Sequence, residues 1–597
     1  MMRHRRRRVL LVAVIGLLVP SSVIAATEQG VQPTEHVLKN GLQLLLVERH
    51  EQPTVAACLI FDVGACNDPA GVSGIAHMFE HMMFKGSKVI GTKDFETEMA
   101  VMEEIDDLRA KMNAEMDRMR LMKRRGEIDD VLDSAQWTPA YTEMKKRYDK
   151  LIEQERALMV DNELDKIYSA HGGARLNAGT SNDMTIYFVQ LPSNKLELFF
   201  WLESDRFANA IMREFYVERD NVREERRLRT ESTPTGKYDE AFEAMFWQSH
   251  PYGVPVLGWA SEVESITRDD VEDFMKVYYA PNNATMVLVG DFDTAQVIEM
   301  AERYFERISR GKTEPPPVVT EEPKPIAERR FYAEAETNPR VRVRWHTVAI
   351  GHSDEAGLEV LSGLLSGKSG RLYKRLVTEE DAAIGEPYAF HRARKYAGYF
   401  EISAVVKEGH EPEEVERIIL EEIDKLREGE ITDHELQKVK NQVLASSIRR
   451  LRSSIGLMFQ LALYETWYDW RYINESPERM LEVTADDVRR MVGEYLDPKV
   501  RTVAIYRTKE GAESDVDPEL SAILAGLPPE AAGQVKAMID RIQQADDLDK
   551  LRVQLGSMQQ ALDSGNMPDE QKSMLAYMIK SIKARVAELE AAEKETE

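Results

Sequence analysis

Short apolar runs bounded by turn residues alternate with longer amphipathic segments along this chain. Near the N-terminus, GLQLLLVERH and TVAACLIFDVG predict two strands joined by a turn near residues 51–53, and GIAHMFEHMMFKGS, residues 74–87, predicts a helix after them. The same patterns then predict a strand in ARLNAGTSNDMTIYFVQLP with turn chemistry before it, helices in KLELFFWLESDRFANAIM and FYVERDNVREERRLRTES, a strand in NNATMVLVGDFD and a helix in AQVIEMAERYFERI. Strands and helices mix within one unit, which is typical of an α+β fold.

Residues from about 93 to 165 have a different pattern, with dense charges between two apolar stripes at helical spacing. A break near Gly126 separates the stripes, and the second runs back along the first. The segment therefore predicts an inserted antiparallel helical hairpin. We interpret the stripes as packing positions, because a methionine stripe is far more often core than a cofactor site. Their residues are Met102, Ile105, Leu108, Met112, Met116 and Met119, then Tyr141, Met144, Tyr148, Leu151, Leu158 and Met159.

A proline-rich stretch at residues 313–328, TEPPPVVTEEPKPIAE, predicts a linker, because it is too rich in proline for a helix or a central strand. Beyond it the order of elements repeats, with strands in VRVRWHTVAI, GYFEISAVV and VRTVAIYR, and helices in DEAGLEVLSGLL, PEEVERIILEEIDKLREG and HELQKVKNQVLASSIRRL. This order predicts a degenerate duplication. We expect a first domain at residues 27–308, a linker at 309–327, a second domain at 328–510 and a helical tail at 511–597, with a largely antiparallel sheet packed against helices in each domain.

The N-terminal sequence, MMRHRRRRVLLVAVIGLLVPSSVIAA, has the layout of a cleavable export signal, with arginines, then an apolar run, then small residues at Ala25 and Ala26. A retained membrane anchor is the alternative, and the adjacent arginines leave a twin-arginine export route open. We expect residues 1–25 to be removed and the protein to be exported, most simply to the periplasm, with secretion as the other destination.

Composition limits the classes of function. With 597 residues, 43% hydrophobic and 30% charged, the chain predicts a soluble globular protein of two to four domains. Removal of the signal would lower the formal charge from −26 by the five arginines it contains, to −31. Such an acidic protein repels nucleic acid and anionic lipid surfaces. Cys58 and Cys66 would lie about 26 Å apart on an extended strand, far beyond the roughly 7 Å span of a disulfide, and are predicted to be free thiols in or near the core.

The predicted helix at residues 74–87 carries three titratable groups among core-forming residues. At about 100° per residue, His77 and His81 are offset by about 40° and stacked one turn apart, so that both imidazoles can converge on one point. Glu80 leans toward the same side. Neutral imidazoles are good zinc ligands, and a neighbouring carboxylate can take a proton from the metal's water. The spacing is His-x-x-Glu-His, the reverse of the zincin order. An ordinary buried helix is the alternative, but three buried polar groups without a partner are costly.

A catalytic zinc normally keeps three protein ligands, so a third must come from elsewhere in the fold. The segment FYVERDNVREERRLR offers Glu218, Glu224 and Glu225. On a helix, Glu218 and Glu225 are about 20° from alignment on one face, whereas Glu224 points about 100° away. A charged helix of this kind is also commonly a solvated face. Spacing alone leaves both interpretations open.

Four segments in order, GIAHMFEHMMFKGS, NAGTSNDMTIYF, ERDNVREERR and HPYGVPVLGW, resemble the pitrilysin and insulinase family of zinc metallopeptidases, specifically its shorter two-repeat bacterial members. The resemblance covers roughly residues 34–508. It implies a metalloendopeptidase for unfolded peptides with one Zn²⁺ per chain, bound by His77, His81 and Glu225. Glu80 is then the general base and Glu218 a second acid that supports the site.

The resemblance also implies how substrate and partners bind. In the family, extended substrates add to a sheet edge beside the zinc, and the matching strand here begins at Asn177 and Ala178; a purely structural edge is the alternative. Family chambers close from two two-repeat halves, which implies a homodimer or a heterodimer with a related subunit.

Two departures from the family pattern stand out. The distance from His81 to Glu225 is longer than usual, and the hairpin accounts for the excess. In the second repeat, Thr378 and Gly385 occupy the positions of an arginine and a tyrosine that hold substrate in the family, so Arg371, Tyr373 or a partner chain would have to replace them. This departure keeps open a second interpretation, a non-catalytic or chaperone-like subunit that binds peptides without cutting them.

Overall fold

The structure is a computed structural model. It describes residues 30–509 apart from 132 and 430 and, in the C-terminal part, residues 520, 523, 535, 538–539, 541–542, 545, 548–563 and 569–596. The predicted export signal lies outside the described residues. Two mixed sheets, each packed against helices, form an α+β architecture as predicted. No helix in the described parts of the chain has the length and apolar character needed to cross a membrane.

The first sheet has six strands in the order β1-β2-β6-β3-β5-β4. Its strands are β1 (Thr34–Val37), β2 (Gln43–Glu48), β3 (Thr54–Phe61), β4 (Ala174–Thr180), β5 (Thr185–Pro192) and β6 (Ala284–Gly290). The strands predicted on either side of residues 51–53 are not neighbours, because β6 lies between them, parallel to β2 and antiparallel to β3. The segment predicted as a single strand with turn chemistry before it is a hairpin of β4 and β5, in which β4 forms the open edge of the sheet.

Ten helices of the described residues belong to the first half of the chain. They are α1 (Ile75–Met82), α2 (Phe95–Arg124), α3 (Pro139–Leu158), α4 (Glu163–Ala170), α5 (Leu196–Asn209), α6 (Phe215–Arg226), α7 (Gly236–Phe246), α8 (Ala260–Ser265), α9 (Arg268–Tyr278) and α10 (Thr294–Phe305). The long helices α2 and α3 form the inserted hairpin. They run antiparallel, since Thr138 before α3 bonds to Glu115 while Arg147 further along α3 pairs with Glu104.

The second sheet has five strands in the order β7-β11-β8-β10-β9. Its strands are β7 (Arg329–Ala335), β8 (Arg340–Thr347), β9 (Ala383–Arg392), β10 (Gly398–Val406) and β11 (Thr502–Thr508). Its helices are α11 (Glu355–Leu365), α12 (Pro412–Arg427), α13 (Asp433–Arg452), α14 (Ser454–Trp467), α15 (Tyr472–Glu482) and α16 (Ala485–Tyr495), and one-turn helix Arg371–Tyr373 precedes β9. The tail contains α17 (Leu548–Asp563) and α18 (Asp569–Thr596). Residues 309–328, between the two sheets, form neither helix nor strand.

Each sheet is covered on one face by a helix from the other half of the chain. Leu457, Met458 and Leu461 of α14 pack on the face of the first sheet formed by Cys58 and Val287 among others. In return, α7 places Phe242 against Ala333, Ala504 and Tyr506 of the second sheet. The opposite face of the first sheet packs against α1 and its neighbouring helices and forms the largest core. Both cysteines are buried free thiols, as predicted.

Candidate metal centre

The helix α1 is fixed by its apolar face and by a cap at its N-terminus. Ile75, Met78 and Phe79 are fully buried in the core under the first sheet. At the start of the helix, the carboxylate of Asp68 accepts hydrogen bonds from the N–H groups of Gly74 (2.6 Å) and Ala76 (3.1 Å). A carboxylate at this position satisfies free N–H groups and favours the positive end of the helix. The remaining side of α1 carries His77, Glu80 and His81.

The side chains of His77, His81 and Glu225 converge on one point beside α1. Glu225 Oε2 lies 3.8 Å from His77 Nε2 and 3.4 Å from His81 Nε2. The two imidazole rings are 4.8 Å apart between centroids. Within the part of the chain that the structure describes, these three residues form the one group of histidine, cysteine and acidic side chains close enough to share a metal ion.

Helix α6 determines which glutamate reaches this point. Glu225 faces α1, and its second oxygen, Oε1, pairs with Arg229 at 2.9 Å. Glu224 is directed to solvent, about half exposed, and pairs with Arg227. Just after Glu225 the helix continues as a π-helical turn at Arg227–Glu231, a distortion often found at functional sites. Of the two glutamates, Glu225 therefore is the one that lies beside the histidines, and its role as a ligand stays a prediction.

Glu218 contacts the far side of His81. Its Oε2 accepts a hydrogen bond from His81 Nδ1 at 3.4 Å, so Nε2 of His81 is left facing Glu225. The other oxygen of Glu218 pairs with Lys85 at 2.5 Å and accepts a bond from Asn221 at 3.0 Å. His77 lacks such a support, because its Nδ1 is buried without a hydrogen-bond partner among the described residues. A carboxylate on the outer nitrogen of a ligating imidazole fixes the tautomer and the ring orientation.

Burial and neighbouring charges shift the pKa values of the two histidines in opposite directions. Burial, together with the neighbouring His81, lowers the pKa of His77, which keeps that imidazole neutral near pH 7. Burial acts on the pKa of His81 in the same direction, but the bonds to Glu218 and Glu225 outweigh it and raise the pKa to about 9. Although burial opposes it, the contacts with His81 and Lys85 lower the pKa of Glu218 to about 2. The contacts with Glu218 and Glu225 thus favour a proton on His81.

Glu80 lies against the end of the edge strand β4. It is 8% exposed, and its Oε2 accepts a hydrogen bond from the Thr180 hydroxyl at 2.6 Å. Burial raises the pKa of Glu80, and the Thr180 bond acts against this rise. Sequence reasoning missed Thr180 and Lys85 as members of this site. Their signals, a threonine at a strand end and a lysine one turn after His81, are too common to single out without the fold.

The predicted substrate-binding residues Asn177 and Ala178 lie on β4, as neighbours on the open edge of the sheet. The N–H of Ala178 donates to the side-chain oxygen of Asn177 at 2.9 Å. Asn177 therefore covers a backbone donor on this edge with its own side chain. Such local capping reduces the tendency of an open edge to pair with other chains.

In the second half of the chain, the two positions that lack the family's arginine and tyrosine lie close to β9. Thr378 is in a π-helical turn before this strand, and Gly385 lies on the strand with φ of +71°. Arg371 forms two bonds of 2.8 Å to Glu435, which makes it a packing residue. Tyr388, also on β9, is 40% exposed.

Two α+β units, of which one carries a His-x-x-Glu-His helix facing a downstream glutamate, are similar to the metallopeptidases that include insulinase. Residues 43–122 match the family model described as Insulinase (Peptidase family M16), and residues 265–443 match the one described as Peptidase M16 inactive domain. Together these matches, which span less than half of the chain, support a protein of the pitrilysin/insulinase family M16. The second match falls largely on the second half of the chain, whose sequence contains no His-x-x-Glu-His motif.

Individual relatives extend the likeness over most of the chain. The zinc protease PqqE of Helicobacter pylori is 27% identical over 483 residues, which cover 79% of this chain and 91% of the relative. A probable mitochondrial-processing peptidase subunit beta of Arabidopsis thaliana is 22% identical over 479 residues, covering 77% and 76%.

Solved structures agree with this assignment. A protease from Helicobacter pylori has a TM-score of 0.64 and 25% identity, covering 80% of this chain and 100% of that one. The periplasmic protease PqqL from Escherichia coli, at 16% identity, has the same fold, with a TM-score of 0.59 over 83% of this chain and 50% of that one.

Proposed function

We propose that this protein is an exported zinc endopeptidase that hydrolyses peptide bonds in unfolded peptides. The observation that carries the proposal is the convergence of His77, His81 and Glu225, three residues that are distant in sequence, with Glu80 beside them. Names of the relatives support it, since several are called zinc proteases.

The donor atoms fit zinc. In a tetrahedral site with metal–ligand bonds of roughly 2.0–2.1 Å, neighbouring ligand atoms lie about 3.3 Å apart. Glu225 Oε2 is 3.4 and 3.8 Å from the two imidazole nitrogens, which is within about half an ångström of that spacing. Two imidazoles and one carboxylate are also the ligand set of many catalytic zinc sites, which keep a fourth position open.

The four residues have distinct roles in this mechanism. Zinc, when bound, supplies a Lewis acid that polarises the scissile carbonyl and lowers the pKa of water. Glu80 accepts the proton from the attacking water at its free carboxylate oxygen and later gives it to the leaving amine. Burial suits Glu80 to this exchange, because its raised pKa brings the carboxyl closer to the working pH. Glu218 holds the ring of His81 in orientation from behind.

Substrate would bind in extended form along the open edge of β4. The edge strand packs directly beside α1, and Thr180 at its end contacts Glu80. An added strand would displace the Asn177 side chain from the Ala178 N–H and form main-chain hydrogen bonds there. A substrate must be unfolded over this stretch to present its backbone.

We further propose that the working form is periplasmic and dimeric, either a homodimer or a heterodimer with a related subunit. The export signal predicted at residues 1–25 and the periplasmic neighbour PqqL support the location. The missing arginine and tyrosine near Thr378 and Gly385 support a dimer, in which a partner chain would complete substrate binding. They are also the observation that favours the second candidate function, a peptide-binding subunit without hydrolysis.

Cleavage of an unstructured, internally quenched peptide tests these candidates. We expect the purified protein to cut it, and expect chelation or the Glu80→Gln substitution to abolish cutting. Activity that survived both treatments would contradict the zinc mechanism, whereas zinc binding with no cleavage by the untreated protein would favour the peptide-binding subunit.

Elemental analysis of the zinc content identifies the third ligand. Glu225→Gln should lose zinc, while the matched control Glu224→Gln, one position away and turned to solvent, should retain it. Equal zinc in both variants would show that Glu225 is not a ligand.

A further inference from the structure

Glu214 connects the inserted hairpin to the metal centre. It precedes α6 with φ of +49° and ψ of +30°, a left-handed conformation that is unusual for a residue other than glycine. Such strain persists only where surrounding contacts hold it, and it clusters at functional sites. The backbone N–H and both carboxylate oxygens of Glu214 are bonded to the hairpin or to Lys85, and its carbonyl accepts from the N–H groups of Val217 and Glu218 at the start of α6.

The hairpin contacts come from the end of α3. Arg156 donates to Glu214 Oε1 at 3.0 Å. The neighbouring Glu155, which is fully buried, accepts the backbone N–H of Glu214 at 2.9 Å. The end of α3 therefore forms hydrogen bonds with both the side chain and the backbone of Glu214.

The contacts toward the metal centre pass through Lys85. Its ammonium group lies 3.1 Å from Glu214 Oε2 and 2.5 Å from Glu218 Oε1, and Glu218 Oε2 in turn accepts from His81 Nδ1 at 3.4 Å. The backbone of Lys85 is held as well, because its carbonyl accepts a bond of 2.6 Å from the buried Arg213.

We propose that Lys85 and Glu214 are positioning residues, through which the α2–α3 hairpin fixes Glu218 and thereby the orientation of the His81 ring. This inference rests on the proposed metal centre. It gives the insertion a role at the site, beyond adding length between the two motifs. The chain of contacts runs from Arg156 through Glu214, Lys85 and Glu218 to His81.

Low exposure distinguishes these contacts from ordinary surface ion pairs, which contribute little to stability. The side chains of Lys85, Glu214 and Glu218 are 19%, 12% and 12% exposed, so solvent screens their contacts only weakly. Arg156 is 55% exposed, and its contribution is therefore the smaller one. The size of the effect on zinc should decrease with distance from His81.

Zinc affinity, measured by competition with a chromogenic chelator, tests the proposal. Loss of outer partners of metal ligands typically weakens metal binding or activity by about 10–100-fold. We expect Lys85→Met to weaken Zn²⁺ binding about tenfold and Arg156→Met about threefold, with Lys85→Arg near the wild type. The matched control is Arg147→Met on the same helix, whose partner Glu104 lies within the hairpin; it should leave zinc affinity unchanged.

A double-mutant cycle separates a connected chain from independent contacts. In a Glu218→Gln background, Arg156→Met should have no further effect on zinc affinity, because the link to His81 is already cut. Additive effects, or equal affinities of the Arg156→Met and Arg147→Met proteins, would overturn the proposal. Since Arg156 and Arg147 are both exposed, these variants test it even if Lys85→Met does not fold.

The result for the wild type distinguishes the two levels of the argument. If the unsubstituted protein binds zinc and the Lys85→Met and Arg156→Met variants bind it with the same affinity, the positioning role is wrong and the metal centre stands. If the unsubstituted protein binds no zinc, both are wrong.

Discussion

Removal of one hydroxyl group, by Thr180→Val, tests how the protein sets the protonation of Glu80. Valine has nearly the shape of threonine but cannot donate to the Glu80 carboxylate, which now accepts from Thr180 at 2.6 Å. Burial raises the pKa of Glu80, and the hydroxyl opposes that rise. Without the hydroxyl, the pKa of Glu80 must increase further.

The size of this increase follows from the strength of the bond. A hydrogen bond to a charged group is worth about 1.5–3 kcal/mol, and one pKa unit corresponds to about 1.36 kcal/mol. The pKa of Glu80 should therefore rise by about 1–2 units. Because the general base must be ionised, the acid limb of the kcat/KM profile should move up by the same amount, with a loss of about 10–100-fold below the limb. Activity on the alkaline side should be retained.

The assay is the pH profile of kcat/KM for a quenched peptide between about pH 5 and pH 9, with zinc content measured in parallel. Thr180→Ser keeps the hydroxyl and should keep the wild-type profile. An acid limb that stays in place in Thr180→Val, at equal zinc content, would refute the tuning of Glu80 by Thr180. A uniform loss at all pH values would instead assign Thr180 to the binding of substrate along β4.

Two further predictions concern stability and metal binding. Arg213 is fully buried, pairs with the buried Glu98 and donates to three backbone carbonyls between α1 and α2. Arg213→Met should therefore lower the free energy of unfolding by about 3–5 kcal/mol and the midpoint of thermal unfolding by about 10 °C. Substitution of the exposed Arg147 by Met should change the free energy of unfolding by less than about 1 kcal/mol, and equal midpoints of the two variants would contradict the structural role of Arg213. Zinc must displace a proton from His81, whose pKa the bonds to Glu218 and Glu225 raise to about 9. Zinc affinity should therefore increase about tenfold per pH unit from about pH 7 to pH 9 and then level off, with a smaller total rise in Glu218→Gln, and an affinity independent of pH in this range, measured by calorimetry, would contradict that protonation state.

The local pattern of apolar and polar residues was sufficient to predict many elements of the fold and some residues of the candidate site. The apolar runs at residues 43–48 and 54–61 were sufficient to predict β2 and β3. Helical spacing put Glu225 on one face with Glu218 and turned Glu224 away, and the family resemblance paired Glu225 with His77 and His81, beside which the structure places it. Their role as zinc ligands stays a prediction. The insertion of β6 between β2 and β3 could not be predicted, because strand order depends on pairing across more than 200 residues and leaves no local signal.

The contacts that tune the candidate site were beyond sequence reasoning for the same reason. Thr180 reaches Glu80 across 100 residues, and Lys85 reaches Glu214 across 129. Each partner is an ordinary polar residue in its own segment, and only the folded sheet and hairpin bring them together. A long insertion made the second pair harder still to foresee, since residues 93–165 were predicted only as a packed hairpin.

Helices α7 and α14, exchanged between the two sheets, bind the halves of the chain to each other independently of the peptide that joins them. A protease nick within residues 309–328 would leave both apolar sheet faces covered, so the two fragments should copurify as a complex. Either fragment produced alone would lose its covering helix and expose a row of apolar side chains to water. Such fragments are suited to complementation, in which each half becomes soluble only in the presence of the other.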